Sequence, residues 1–202
     1  DLGCGFPPTT TVDTAKKLGD WTVFGVDRQF ATYMLVDADG HYACFDRDGS
    51  LLYMQARLTT SGSALNDDPP SARNRFQALF DRMRSMMSEY GTIVDHQGSR
   101  LIRNPLREYE ASNVTFIQTD IRELDLPPAR VIRCMNVLLY FNAREREELL
   151  AVMGRMLDED GMLIAGFNHF LGGGARYAVY HKTGTRLIPK ELDAAVMFPP
   201  CT

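Results

Sequence analysis

Three short apolar segments of this chain end on polar residues, and this pattern constrains the fold more than any other feature. The segment WTVFGV precedes Asp27, VTFIQT precedes Asp120, and VIRCM precedes Asn136. Each has the length and the β-branched content of a buried strand. If these strands run in parallel, their polar ends lie along one edge of a sheet, where open α/β folds bind ligands.

Helical patterns between these segments favour an α/β fold. Residues Thr9 to Leu18 form a weakly amphipathic segment, whereas Ala72 to Tyr90 carries apolar residues at helical spacing on one face. Asn142, with Glu145 three residues later, has the spacing of a capping box for a helix over residues 143–157. The alternation predicts a mainly parallel sheet with helices on both faces.

Residues 28–112 interrupt this alternation. Within residues 31–57, three β-type runs are separated by the turn sequences DADG and DRDG, which predicts an antiparallel meander. Residues 59–71 form a polar loop, and the helical segment follows. We therefore expect one domain over residues 1–202 with an insertion that covers a pocket or forms a dimer contact, the alternative being an exposed addition. Two further strands within residues 175–188 predict an antiparallel hairpin at the sheet edge.

Composition excludes several classes of protein. The net charge of -4 argues against sequence-independent binding of nucleic acid, which requires clustered Lys and Arg. No apolar run reaches the length of a membrane span, and no secretory pattern opens the chain, so we expect a cytoplasmic protein without a membrane partner. The four cysteines are scattered without metal-binding spacing, which predicts free thiols and no metal site. Neither DADG nor DRDG continues as a calcium-binding loop.

The first five residues, DLGCG, predict a tight turn after a buried strand that the chain as given does not include. Gly3 and Gly5 allow a ligand to approach backbone N–H groups because neither has a Cβ. Such glycines are more often structural, and Phe6 replaces the third glycine of a dinucleotide-binding turn. Asp27, about 20 residues further on, suits the hydroxyl groups of an adenosine ribose, although an acid that caps the next element is an equal alternative.

The motifs DLGCG, VFGVD, FIQTDI, RCMNVLLYF and GMLIAGF occur in this order within residues 1–27 and 113–168. In this the chain resembles the class I S-adenosylmethionine-dependent methyltransferases. The resemblance implies a Rossmann-like three-layer α/β sandwich, mainly parallel with an antiparallel edge, and S-adenosylmethionine as cofactor. RCMNVLLYF is similar to the corresponding strand of the chemotaxis-receptor glutamate methyltransferases, but Met135 stands where those enzymes usually have Arg, and their N-terminal helical domain is not apparent.

The resemblance also implies roles for individual residues. The methionine part of the cofactor would lie against Asp1, Gly3 and Gly5, the ribose against Asp27, the adenine against Asp120 and Ile121, and the transferable methyl group beside Asn136 and Val137. Asn136 and Tyr140 are the candidate catalytic residues, and His169 and Tyr177 are further candidates on the acceptor side. For Tyr140, packing under the following helix is the alternative interpretation.

The function expected from these residues is methyl transfer to an unidentified acceptor, more plausibly a small molecule than nucleic acid or receptor glutamate. A homodimer is compatible with the sequence. Two alternatives remain: a nicotinamide-dependent oxidoreductase, which would use the same turn and Asp27, and a non-catalytic module that binds a nucleoside.

Overall fold

The computed structural model of the protein describes residues 1–55, 69–168 and 175–192. The chain divides into two compact units, one formed by Asp1–Gln29 with Glu110–Thr202 and the other by Phe30–Tyr109. Among the described residues, no helix has both the length and the apolar character needed to cross a membrane.

The described residues form three α-helices and eleven β-strands. The helices are α1 (Thr9–Lys17), α2 (Pro69–Met86) and α3 (Ala143–Met156). The strands are β1 (Val23–Asp27), β2 (Tyr33–Val36), β3 (Tyr42–Phe45), β4 (Leu51–Gln55), β5 (Ile93–His96), β6 (Ser99–Arg103), β7 (Val114–Gln118), β8 (Ala129–Met135), β9 (Leu157–Asn168), β10 (Ala175–Thr183) and β11 (Arg186–Leu192).

The first unit contains a two-stranded and a four-stranded sheet. Strand β1 pairs in parallel with β7, while β8 pairs in parallel with β9, and β9, β10 and β11 continue in antiparallel order. Leu2 makes isolated parallel bridges with both Val26 and Cys134, so one residue contacts a strand of each sheet. Helix α3 packs Leu149, Leu150 and Met153 into the apolar core that these strands share.

The second unit is a five-stranded antiparallel sheet in the order β4-β3-β2-β6-β5, with α2 against one face. Phe76, Phe80 and Met83 of α2 are buried in its core. The rings of Phe45 and Phe80 stack with centroids 4.0 Å apart. Burial of aromatic side chains of this size contributes about 1.5 to 3 kcal/mol each, so this helix face stabilises the sheet.

The predicted Rossmann-like three-layer sandwich with a mainly parallel sheet is wrong. Among the described residues, six of the eight pairings between the strands β1 to β11 are antiparallel, and the β1–β7 and β8–β9 pairings are parallel. The protein is instead a mixed α/β structure with mostly antiparallel sheets. The physical reason is that short turns join most neighbouring strands, and strands joined by a short turn can pair only in antiparallel fashion.

Predictions that rest on local signals are confirmed. The meander appears as β2, β3 and β4, and the hairpin near the C-terminus appears as β10 and β11. The capping box of α3 is present in both directions, with the Asn142 side chain accepting from Glu145 N and the Glu145 side chain accepting from Asn142 N. Most of the predicted loop over residues 59–71 lies outside the described residues, and the prediction is wrong for residues 69–71, which belong to α2.

Candidate functional site

The glycine turn at the start of the chain lies between β1 and β8. Leu2 N donates to Arg133 O at 2.8 Å, and Gly3 N donates to Val26 O at 2.8 Å. Gly3 and Gly5 have φ values of +67° and +65°, in the left-handed region that glycine adopts without a Cβ penalty. The sequence therefore has glycine at the two positions where the backbone requires it.

Asp27, at the end of β1, receives backbone hydrogen bonds on both carboxylate oxygens. Gly5 N donates to Oδ2 at 2.8 Å, and Gln29 N donates to Oδ1 at 3.1 Å. Each oxygen of an ionised carboxylate has a second lone pair, so two more donors can be accepted. Space is also available beside the turn, because a Cβ added to Gly5 would have no atom within 4 Å.

Asp120 and Ile121 follow β7, the parallel neighbour of β1. Thr119 N donates to Asp27 O at 3.0 Å, which joins the ends of the two strands. The Asp120 side chain caps the short 3-10 helix Ile121–Glu123 by accepting from Arg122 N at 2.9 Å. Ile121 is half-buried against the core of the unit. The predicted single edge of three strand ends holds for the two acids, which follow the paired strands β1 and β7, whereas Asn136 follows β8 of the four-stranded sheet.

Asn136 and Val137 begin the turn after β8. Asn136 has a φ of +63°, and its N–H donates to Gly166 O at 2.8 Å. Val137 lies against the glycine turn, since a Cβ on Gly3 would stand 2.1 Å from Val137 Cγ2. The structure therefore brings Gly3, Gly5, Asp27 and Val137 together through direct contacts.

The residues after this turn divide between surface and core. Leu139 and Tyr140 expose 46% and 83% of their surface, whereas Phe141 packs against the core. For Tyr140, the alternative of packing under the helix is therefore wrong. Tyr177, on β10, is also exposed, and His169 lies outside the described residues.

The Asp1 carboxylate makes contacts within the protein. It accepts hydrogen bonds from Arg133 Nη1 at 2.9 Å and from the Thr11 hydroxyl at 2.7 Å, and the Asp1 side chain is only 7% exposed. These two donors occupy the group that the family resemblance assigns to the cofactor. Sequence reasoning missed Arg133, although a charged residue within an apolar strand is itself a signal that a buried partner exists.

Cys4 lies inside the glycine turn but lacks the character of a nucleophile. Burial, followed by the nearby charge of Asp27, raises the pKa of its thiol to about 12. Because the thiolate is the nucleophilic form, a group that stays protonated at neutral pH is inert. Cys134 on β8 behaves in the same way, with burial raising its pKa to about 12.

A cavity of about 570 Å³ lies along β1 and β8 and reaches Asp1 and Leu2 at the start of the glycine turn. Its walls include Val23 and Phe24 at the start of β1, Val131 and Ile132 within β8, and Met156 at the end of α3. The polar strand ends Asp27, Asp120 and Asn136 are not among its lining residues. This largely apolar cavity therefore borders the start of the glycine turn but does not reach the polar strand ends.

A second group of polar side chains lies in the β2–β3 turn of the other unit. The potential ligand atoms of Asp37, Asp39 and His41 lie within 4.8 Å of one another. Asp37 Oδ1 accepts from the N–H groups of Asp39 and His41, and its Oδ2 lies 3.5 Å from Arg75 Nη2. Through these contacts the Asp37 carboxylate stabilises the turn. The expectation that the protein has no metal site stays a prediction.

Comparison with known proteins adds no family. No protein-family model matches the chain, and no curated protein matches it significantly. The resemblance to methyltransferases therefore rests on the sequence motifs alone.

Proposed function

We propose that this protein binds S-adenosylmethionine at the strand ends of its first unit and transfers the methyl group to a small-molecule acceptor. The observation that carries the proposal is the contact set of the glycine turn. Gly5 N–H binds the Asp27 carboxylate at 2.8 Å, and Gly3 packs directly against Val137. The Asp27 carboxylate, the turn with its two glycines and the turn after β8 thus adjoin one another.

The side chains around these turns fit the proposed cofactor. Asp27 keeps acceptor capacity for two ribose hydroxyl groups after its backbone hydrogen bonds are counted. The open space beside Gly5 suits a ligand that approaches the backbone closely. Asp120 and Ile121 would contact the adenine, and Asn136 with Val137 would lie near the methionine part. The proposal does not need the Asp1 carboxylate, which Arg133 already holds.

S-Adenosylmethionine supplies a sulfonium methyl group that a nucleophile can displace. The protein's own contribution is to bind the cofactor and the acceptor, to orient them and to exclude water from the site. Orientation alone lowers the activation barrier by roughly 7 to 11 kcal/mol in favourable cases. A general base is required only if the acceptor must lose a proton. Asn136 has no ionisable group, so its role would be to donate or accept hydrogen bonds, and Tyr140 is exposed enough to contact an acceptor.

The character of the acceptor follows from charge and exposure. The net charge of -4 disfavours nucleic acid. Leu139 and Tyr140 offer apolar surface next to the proposed methyl position, which suits a small molecule with an apolar or aromatic part. The free thiols Cys4, Cys44 and Cys134 support a reducing, cytoplasmic setting.

Isothermal titration with S-adenosylhomocysteine, and with NADH in parallel, tests the proposal. We expect micromolar binding of S-adenosylhomocysteine and no binding of NADH. Asp27→Ala should weaken binding about a hundredfold, whereas Asp13→Ala, which removes an exposed carboxylate from α1, should leave it unchanged. Binding of NADH alone would instead support the oxidoreductase alternative, and binding of neither would refute a nucleoside site.

A further inference from the structure

The turn after β8 has a backbone conformation that needs contacts from other parts of the protein to stabilise it. Asn136 is a non-glycine residue in the left-handed region, a backbone conformation that a side chain with a Cβ disfavours. The chain then forms the one-turn 3-10 helix Leu138–Tyr140, and Phe141 returns to an extended conformation before α3 begins. A single 3-10 turn has few internal hydrogen bonds.

Arg146, in the second turn of α3, supplies an external restraint. Its Nε donates to Leu138 O at 2.9 Å and to Phe141 O at 2.8 Å. One cationic N–H therefore binds the first and last carbonyl groups of the segment Leu138–Phe141. Hydrogen bonds from a charged donor are worth roughly twice as much as neutral ones, and this donor is partly buried.

Arg122 joins the same turn to the strand end that carries Asp120. Its guanidinium lies 5.4 Å from the centroid of the Phe141 ring, and its Nη1 lies 3.5 Å from Asp120 Oδ1. A cation placed over an aromatic ring is attracted by the negative charge of the ring face. The turns after β7 and β8 are thus linked through Phe141, whose backbone Arg146 holds.

We infer that Arg146 is a positioning residue for the ligand site: it fixes the Asn136–Phe141 turn in the conformation that binds the cofactor. The inference rests on the proposed function and adds a residue that none of the sequence motifs includes. Arg146 has no role in the chemistry, because its guanidinium acts on backbone carbonyl groups and through them on Asn136 and Val137.

Two readouts test Arg146→Gln, with Arg144→Gln as the matched control. Arg144 lies on the same helix, is largely exposed and pairs with Glu148 at 3.1 Å. We expect Arg146→Gln to weaken binding of S-adenosylhomocysteine about tenfold, the equivalent of a charge-assisted hydrogen bond. Arg144→Gln should bind as wild type does.

Hydrogen exchange of the free protein supplies the second readout. Arg146→Gln should accelerate exchange of amides within residues 136–142 and leave those of β7 unchanged. Unchanged exchange there, or faster exchange with unchanged affinity well below the melting temperature, would overturn the inference while wild-type binding still supports the proposed function. If the wild type binds no S-adenosylhomocysteine, the proposed function fails and the positioning role fails with it.

Discussion

Gly3 and Val137 approach each other so closely that a Cβ on Gly3 would stand 2.1 Å from Val137 Cγ2. Residues 134 positions apart in the sequence thus share one contact at the candidate site. This contact joins the glycine turn to the turn after β8, and substitution at Gly3 tests it directly.

Gly3→Ala should destabilise the protein more than Gly5→Ala does. Both residues have nearly the same positive φ, +67° and +65°, so both substitutions carry a backbone cost of about 1 to 2 kcal/mol. Only Gly3→Ala adds a clash, worth roughly 1 to 3 kcal/mol. Urea denaturation measures the difference. Adding Val137→Ala should remove the excess cost of Gly3→Ala, and equal costs for the two single variants would contradict the close contact.

Arg133→Gln should lower the free energy of unfolding by roughly 2 to 4 kcal/mol, because it leaves the Asp1 carboxylate buried with only the Thr11 hydroxyl as a side-chain partner. The lower part of this range allows for the 28% exposure of the Arg133 side chain. The control is Arg100→Gln, which breaks an exposed pair with Asp95 and should have no measurable effect. Similar results for the two variants would show that the Asp1–Arg133 pair contributes little.

Stability should fall as the pH rises above about 9. Burial raises the pKa of Cys134 from 9.0 to about 12, so the unfolded chain loses this proton first and gains free energy from doing so. The contribution of the Cys134 thiol to the free energy of unfolding is fully present below pH 9. It is lost progressively between pH 9 and about 12, by on the order of 1 kcal/mol per pH unit. Denaturation at pH 8, 9 and 10 measures the slope, which should be shallower in Cys134→Ala. The same slope in both proteins would rule out a contribution from Cys134.

Asn142→Ala should cost about 1 kcal/mol, the usual value for a lost N-cap. Asn142 Oδ1 accepts from Glu145 N at 3.1 Å, and Glu145 Oε2 accepts from Asn142 N at 2.9 Å. Asn142→Asp keeps the acceptor and should restore most of the stability in thermal denaturation. A loss as large in Asn142→Asp as in Asn142→Ala would mean that the cap is not the source of the effect.

Elements with local signals were predictable from the sequence. Helix α3 begins where the Asn142–Glu145 spacing indicates, because a capping box involves only neighbouring residues. The β5–β6 hairpin was missed, although Gln97 and Gly98 both have positive φ values, as the central residues of a tight hairpin turn require. A Gln-Gly pair is a weaker signal than Asn-Gly.

The sheet arrangement and the site contacts depend on distant residues. The apolar pattern of a short strand is the same in parallel and antiparallel sheets, so the sequence did not reveal that most pairings are antiparallel. The strand-end positions of Asp27 and Asp120 follow from local patterns, whereas the contact of Gly3 with Val137 and the restraint by Arg146 do not. Arg146 looks like an ordinary charged residue of a surface helix until the fold brings it to Leu138 O and Phe141 O.

The most direct test of the proposed ribose contact compares S-adenosylhomocysteine with its 2′-deoxy analogue on the wild type and on Asp27→Ala. If Asp27 accepts the ribose hydroxyl groups, loss of the 2′-hydroxyl should weaken binding to the wild type about tenfold and have little effect on the variant. Titration calorimetry at high protein concentration gives the four affinities. Equal affinity of the wild type for both ligands, or no binding of either, would contradict the account.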